Sequence, residues 1–366
     1  MNTLLSSFKL GKNTLLKNRF ALAPMTTQQS NPDGTVSIDD IEWYERIAKG
    51  GTGMIISCAT ATSKEGIGWF NQIYAYDDSM LPGLTELAKR LKKFDTVNII
   101  QLCHTGSRAV KKLNGGSVYS ASAYPMPQIP GFVPSLELSK TQIEKVITEF
   151  ADAAYRVYKA GFHGVEIHGA NGYLITQFIS RMSNLRNDEF GGTIENRARL
   201  ATEIVKACKK RVPDNFIVGF RLTFENAGLE TGLDVDENIK VVELLKTEGI
   251  DYLHISTFDH KDKSIKYPKM PLIKYITERI KGIPIIGVGM VKTMDDINNI
   301  LEYGVDIIAL GRISIGNPEY VNNLKNKNSN VVYYPYDENH LISTGISNKF
   351  LEYLKTGLRT SAATVK

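Results

Sequence analysis

Short apolar runs alternate along this chain with longer stretches whose apolar residues recur at helical spacing. The strand-like runs are Phe20–Pro24, Met54–Thr60, Asn98–His104, Val165–His168, Phe216–Thr223, Tyr252–Ser256, Ile283–Gly289 and Asp306–Gly311. Between them, helical patterns cover Ser37–Gly50, Leu81–Phe94, Ile194–Arg211, Val235–Glu248, Leu272–Lys281 and Thr293–Tyr303. One further helix opens on a Thr141/Glu144 capping box, carries Ile143, Val146, Ile147, Phe150 and Val157 on one side, and stops at Gly161. Eight strands, each followed by a helix, predict an α/β fold of the (β/α)8 TIM-barrel type. An open doubly wound sheet would carry a glycine-rich fingerprint after its first strand, where this chain has Pro24-Met25-Thr26-Thr27. A small N-terminal hairpin over 4–19 precedes the barrel, and from Asn317 onward the alternation dissolves into a C-terminal tail packed outside it. The expected organisation is a single domain, 1–366, with the barrel core over about 18–325.

Three expected loops are long, Ala61–Met80, Leu113–Leu138 and Phe258–Lys269, and all follow strands. Long loops on one face mark where a ligand is covered. Late in the apolar strands stand polar residues, Gln101, His168 and Arg221. Leaving such a group buried and unpaired costs about 1–3 kcal/mol. Together they suggest a polar planar ligand across the barrel mouth, with an internal hydrogen-bond network as the alternative. His168 and Asn171, three residues apart, can converge on one ligand oxygen, and Tyr173 adds a third hydrogen-bonding group. A capped strand end with a satisfied histidine is the other reading. Gly289 and Gly311 allow close backbone approach to an anion, and Arg312 adds a forked cation, after the two strands where barrels commonly build a phosphate site.

Composition narrows this little. The 42% hydrophobic and 23% charged content is that of an ordinary globular protein, and a formal charge of +5 spread along 366 residues argues against nucleic acid. Three cysteines, Cys58, Cys103 and Cys208, form no metal-type spacing and no disulfide framework, which favours a reducing cytoplasm. No apolar run approaches a membrane span, and the N-terminus lacks the apolar core of a signal peptide.

The segments KNRFALAPMT (17–26), IIQLCHTGSR (99–108), EIHGANGYLITQFIS (166–180), the SN-R-DEFGG-ENR pattern within 183–197 and ALGRISIGNP (309–318) resemble the Old Yellow Enzyme family. The resemblance runs from about residue 5 to 325 in the family's order. It implies an FMN-dependent, NAD(P)H-using enzyme that reduces an electron-poor small-molecule acceptor, either an activated C=C bond or a quinone-like compound. By this resemblance Pro24, Met25, Thr26 and Ala59 would line the flavin ring, with Thr26 near its O4. Gln101 and Arg221 would bond the pyrimidine side, and Gly289, Met290, Gly311 and Arg312 would hold the phosphate. His168, placed against both ring and acceptor, would grip the acceptor oxygen with Asn171, and Tyr173 would donate the proton. Cys103 stands where some relatives have a substrate-shaping tryptophan. The tail shows no arginine finger, so a homo-oligomer is left open. Both the iron–sulfur cysteine cluster and the extra nucleotide domain of larger relatives are missing from the sequence.

Rival readings are a barrel aldolase or isomerase using the phosphate site, an NADH oxidase with oxygen as acceptor, and a flavin-storage protein. The aldolase would want a lysine or a carboxylate pair at strand ends, and storage would not need the His168/Asn171/Tyr173 set. His163 reads as a solvated turn residue. Trp69, Tyr74 and Tyr124 sit in long loops, either over the ligand or in loop packing.

Overall fold

The protein's structure, a computed structural model, describes residues 2–123, 134–226, 232–328, 330–356 and 365. Tyr124 lies outside these residues. Eight parallel strands close into a barrel: β1 (Phe20–Leu22), β2 (Met54–Ala61), β3 (Val97–Cys103), β4 (Gly164–Gly169), β5 (Ile217–Leu222), β6 (Tyr252–Ile255), β7 (Ile285–Gly287) and β8 (Ile307–Leu310). Sequential strands pair throughout, and β8 closes on β1 with Ile308 opposite Phe20 and Leu310 opposite Leu22. Around it run α1 (Ile38–Lys49), α2 (Leu81–Leu91), α3 (Lys140–Ala160), α4 (Ile194–Arg211), α5 (Val235–Thr247), α6 (Leu272–Arg279) and α7 (Met294–Glu302). Their apolar stripes and the outer faces of the strands form the larger core cluster.

The expected fold is observed, with local corrections. β1 and β7 are shorter than their apolar runs, because Pro24 and Pro284 bring no N–H to the ladder. The long helix begins two residues early, capped by Ser139, whose hydroxyl accepts the Gln142 N–H while Gln142 Oε1 accepts the Ser139 N–H at 2.9 Å. Two overlapping capping boxes exist in SKTQIE, and the chain uses the first. His163 is half-buried rather than solvated: its Nδ1 accepts the Asn98 N–H at 3.1 Å beneath β3.

Inside the barrel the side chains sit in layers, as parallel barrels require. The N-terminal hairpin (Phe8–Leu10 with Thr14–Leu16) plugs the bottom with Leu10 and Leu16, against Met54, Ile56, Val97, Ile99 and Ile217. Above this apolar plug lies a polar layer. Glu166 accepts from Gln101 Nε2 at 2.7 Å and from the Tyr252 hydroxyl at 3.0 Å, and its Oε2 lies 2.9 Å from His254 Nδ1. Gly219 makes room for this layer, since a Cβ there would lie 2.0 Å from Tyr252 Cζ.

The tail stays outside the barrel but covers its mouth. Phe350 meets Trp43 of α1 edge-on at 5.3 Å, and the Tyr336 hydroxyl donates to Arg312 O at 3.1 Å. Gly316 admits the Tyr336 ring, which would lie 2.2 Å from a Cβ at that position. Among the described residues no helix is long and apolar enough to cross a membrane.

The barrel interior yields a stability prediction. Gly219→Ala inserts a methyl into the Tyr252 ring and should destabilise the protein by roughly 1–3 kcal/mol, the usual range for overpacking. Urea unfolding reads the loss, and an unchanged midpoint would show that Tyr252 can move aside freely.

Candidate active site

At the C-terminal ends of the strands opens a cavity of about 470 Å³. That volume lies within the roughly 300–1,000 Å³ typical of small-molecule sites. Ala23, Pro24, Met25 and Thr26 line it after β1, Arg108 after β3, Asn171 and Tyr173 after β4, and Arg221 from β5. Thr257 and Phe258 follow β6, Val288 to Val291 follow β7, and Gly311, Arg312 and Ile315 follow β8. Ten of the expected site residues therefore share one cavity: Pro24, Met25, Thr26, Asn171, Tyr173, Arg221, Gly289, Met290, Gly311 and Arg312. Ala59, Gln101 and His168 do not line it. They are buried in β2, β3 and β4, and Gln101 gives one of its two amide N–H donors to Glu166. Cys103 is fully buried and also absent from the wall.

Backbone geometry explains several of these positions. Asn171 (φ 59) and Gly172 (φ 69) turn the chain sharply off β4, and the Asn171 N–H is caught by Thr223 Oγ1 at 3.1 Å. The turn leaves Tyr173 at the start of a short helix, Leu174–Ile179. Its ring meets His168 edge-on at 5.1 Å and Trp69 at 6.3 Å. Gly289 (φ 140) passes so close to the β6 loop that a Cβ would lie 2.5 Å from His260 N. At Gly311 a Cβ would find its nearest neighbour, Met25 Sδ, at 3.6 Å, so the backbone there is open to the cavity. The Arg312 guanidinium lies between Phe258 and Tyr334, at 5.8 and 5.6 Å from their ring centres.

The hydrogen bonds assign donors. Asn171 Oδ1 accepts the Ser256 hydroxyl at 3.3 Å, which leaves its NH2 as a donor. His168 Nδ1 accepts the Ala170 N–H at 3.3 Å, so a neutral ring carries its proton on Nε2. Burial, then the charges of Arg221, His254 and Arg108, hold the His168 imidazole well below its usual range. His168 is thus a neutral donor at physiological pH. Glu166 behaves differently. Burial raises it, but His254, Arg221 and Gln101 outweigh that and keep it a carboxylate.

Sequence reasoning missed several wall residues. Arg108 stands within the quoted motif after β3 but was given no role. Tyr334, Phe350, Tyr353 and Leu354 come from the tail, whose pattern carried no signal, and they form part of the wall. Tyr252 and His254 share one face of β6, a visible spacing whose partner, Glu166, depends on how the barrel closes.

The barrel mouth thus gathers three arginines, an open glycine backbone, an amide donor and a tyrosine in one cavity. The family model of the NADH:flavin oxidoreductase / NADH oxidase family matches residues 3–330. The chain is 32% identical over 340 residues to the probable NADH-dependent flavin oxidoreductase YqiG of Bacillus subtilis, covering 88% of this chain and 87% of that one. It is 35% identical over 322 residues to the NADH:acrylate oxidoreductase of Vibrio harveyi, covering 85% of this chain and 32% of that protein. The chain thus spans about a third of the length of the latter relative. Among solved structures it matches the Old Yellow Enzyme homologue of Zymomonas mobilis with a TM-score of 0.82 at 24% identity, over 96% of this chain and 99% of that one. This chain belongs to the NADH:flavin oxidoreductase / NADH oxidase family, the Old Yellow Enzyme family that its motifs resemble.

A neutral His168 predicts a pH signature. The unfolded chain protonates this histidine below about pH 6.5 and the fold resists, so its contribution to stability is full above that value and falls as pH drops. His168→Asn removes the term, so the stability gap between wild type and variant should narrow by up to about 1.4 kcal/mol per pH unit below 6.5. Urea unfolding at pH 7, 6 and 5 measures it. A gap independent of pH would mean that the imidazole titrates normally in the fold.

Proposed function

We propose that this protein is an FMN-dependent oxidoreductase that takes hydride from NADH or NADPH and reduces an activated C=C bond or a quinone-like acceptor. The observation that carries the reading is the meeting, at one barrel mouth, of the Asn171 amide and Tyr173, whose ring rests edge-on against the buried neutral His168, beside Arg221, Gly311 and Arg312. FMN is the flavin of the family, and the cavity fits it in two respects. Gly311 leaves its backbone open beside Arg312, as a phosphate needs, with Gly289 in the same wall, and Arg221 presents a cation on the polar floor. The barrel aldolase fits poorly, since no lysine, aspartate or glutamate lines the cavity among the described residues.

A bound FMN would supply the hydride chemistry between the nicotinamide and the acceptor's β-carbon. The remaining tasks fall to the chain. His168 Nε2–H and the Asn171 NH2 donate to the acceptor's carbonyl oxygen and stabilise it as charge develops, an effect commonly worth about 2.7–4 kcal/mol per donor. Because His168 is neutral, it polarises that oxygen without giving up a proton. Tyr173 delivers the proton to the α-carbon. Thr26 and Arg221 hold the flavin's polar edge, Pro24 and Met25 its ring, and Gly289, Met290, Gly311 and Arg312 the phosphate, while Gln101 and Ala59 back this wall from the buried layer beneath it.

Two measurements test this. Tyr173→Phe should leave flavin reduction by nicotinamide and quinone turnover nearly intact, while slowing cyclohexenone reduction about 100-fold or more in anaerobic stopped-flow, as loss of a general acid does. Cyclohexenone reduced at the parent rate would show that the proton comes from elsewhere. Arg312→Ala should weaken FMN binding by roughly 1.5–3 kcal/mol, the range for a hydrogen bond to a charged group. Fluorescence titration of the apoprotein reads this, and unchanged affinity would place the phosphate elsewhere.

A further inference from the structure

The cavity wall carries Arg108, Arg221 and Arg312 and, among the described residues, no acidic side chain. On the proposed function two of these cations have employment. Arg312 faces the phosphate, and Arg221 is balanced from below by the Glu166 carboxylate while serving the flavin edge. Arg108 has neither task. It follows β3 in a tight turn, its N–H donating to Thr105 O at 3.1 Å, and no carboxylate among the described residues pairs with it. Its guanidinium lies 4.9 Å from the centre of the Tyr173 ring, and one of its nitrogens donates to the backbone oxygen of Asn171. Its charge also reaches His168, where it helps to hold the imidazole neutral. Arg108 therefore stands beside all three groups of the acceptor end.

A half-buried guanidinium with one edge anchored and no counter-charge suits an anion with a planar oxygen pair. We propose that Arg108 is a specificity residue that binds a carboxylate on the acceptor, so that the preferred acceptors are unsaturated carbonyl compounds bearing a carboxylate group. This rests on the proposed function and narrows its substrate class. The Asn171 contact keeps the guanidinium in place when no acceptor is bound, and the Tyr173 ring under its face favours the charge further. Another anion that could reach this end is the pyrophosphate of the nicotinamide, and the experiment separates the two.

The test uses the oxidised holoprotein and phenols, whose oxygen can take the place of the acceptor oxygen at His168 and Asn171. Dissociation constants are measured by absorbance titration for 3- and 4-hydroxybenzoate and for the corresponding hydroxybenzamides. Wild type should bind at least one benzoate about tenfold or more tightly than its amide, as a charged hydrogen bond implies. That preference should shrink with added salt. Arg108→Gln should abolish the preference with little change in amide binding, and Arg108→Lys should retain part of it. Equal affinity of acid and amide in wild type overturns the proposal without any variant, even if Arg108→Gln fails to fold. A variant that loses acid and amide alike would show that Arg108 only holds Asn171, and this also overturns it. So would a raised dissociation constant for NADH in the flavin-reduction step with the benzoate preference intact. If wild type binds neither phenol and leaves cyclohexenone unreduced, the underlying functional reading falls, and this inference with it.

Discussion

Glu166 is fully buried at the centre of the barrel, and burial by itself pushes its carboxyl pKa up. The surrounding residues outweigh that. Gln101 and Tyr252 donate to it, His254 lies within hydrogen-bond distance, and the Arg221 charge acts on it from β5. One carboxylate thus ties together β3, β4, β5 and β6 at the level where the apolar plug ends. The arrangement is fixed by strand register: Gln101 is opposite Glu166, and Arg221 is opposite both His168 and His254. Burial, then the Arg221 charge, holds His168 well below its usual range, and burial together with Arg221 holds His254 below its own although Glu166 pulls it up. Such a layer is sensitive to change, because a buried charge that loses its partner destabilises far more than a surface pair does.

From this layer upward the chain passes from stability to chemistry. The polar floor leaves the mouth with cations and neutral donors, which suits a phosphate-bearing planar ligand and an acceptor oxygen. The turn at Asn171 and Gly172 puts the donor and Tyr173 within five residues of His168, so the proposed acceptor end is built almost entirely from one strand exit. The proposed anion end comes from β7 and β8, and Phe350 and Tyr353 of the tail line the same cavity. Fold and site therefore divide the labour between neighbouring strand exits.

Much of this was legible in the sequence because it is local. Eight apolar runs with helices between them fix a parallel barrel, and His168, Asn171 and Tyr173 announce themselves by spacing on a strand exit. What was not legible is what depends on closure. Nothing in the sequence pairs Glu166 with Tyr252 and His254, which only barrel closure brings to it from β6. Gln101, expected to face the ligand, turned out to be committed to Glu166 one layer down. The tail's role could not be read because Phe350 reaches the mouth only through its packing on Trp43, some three hundred residues earlier in the chain. Ser139 and Thr141 offer two overlapping capping boxes, and their spacing alone does not say that the chain uses the first.

The central claim is that the site stands on one buried, ionised carboxylate. Its most direct test is the equilibrium unfolding of Glu166→Gln at neutral pH. The substitution keeps size and much of the hydrogen bonding but removes the charge that balances Arg221. The account predicts a loss of about 3–5 kcal/mol, the range for breaking a buried charge pair. A loss under about 1 kcal/mol, as for an exposed pair, would contradict it.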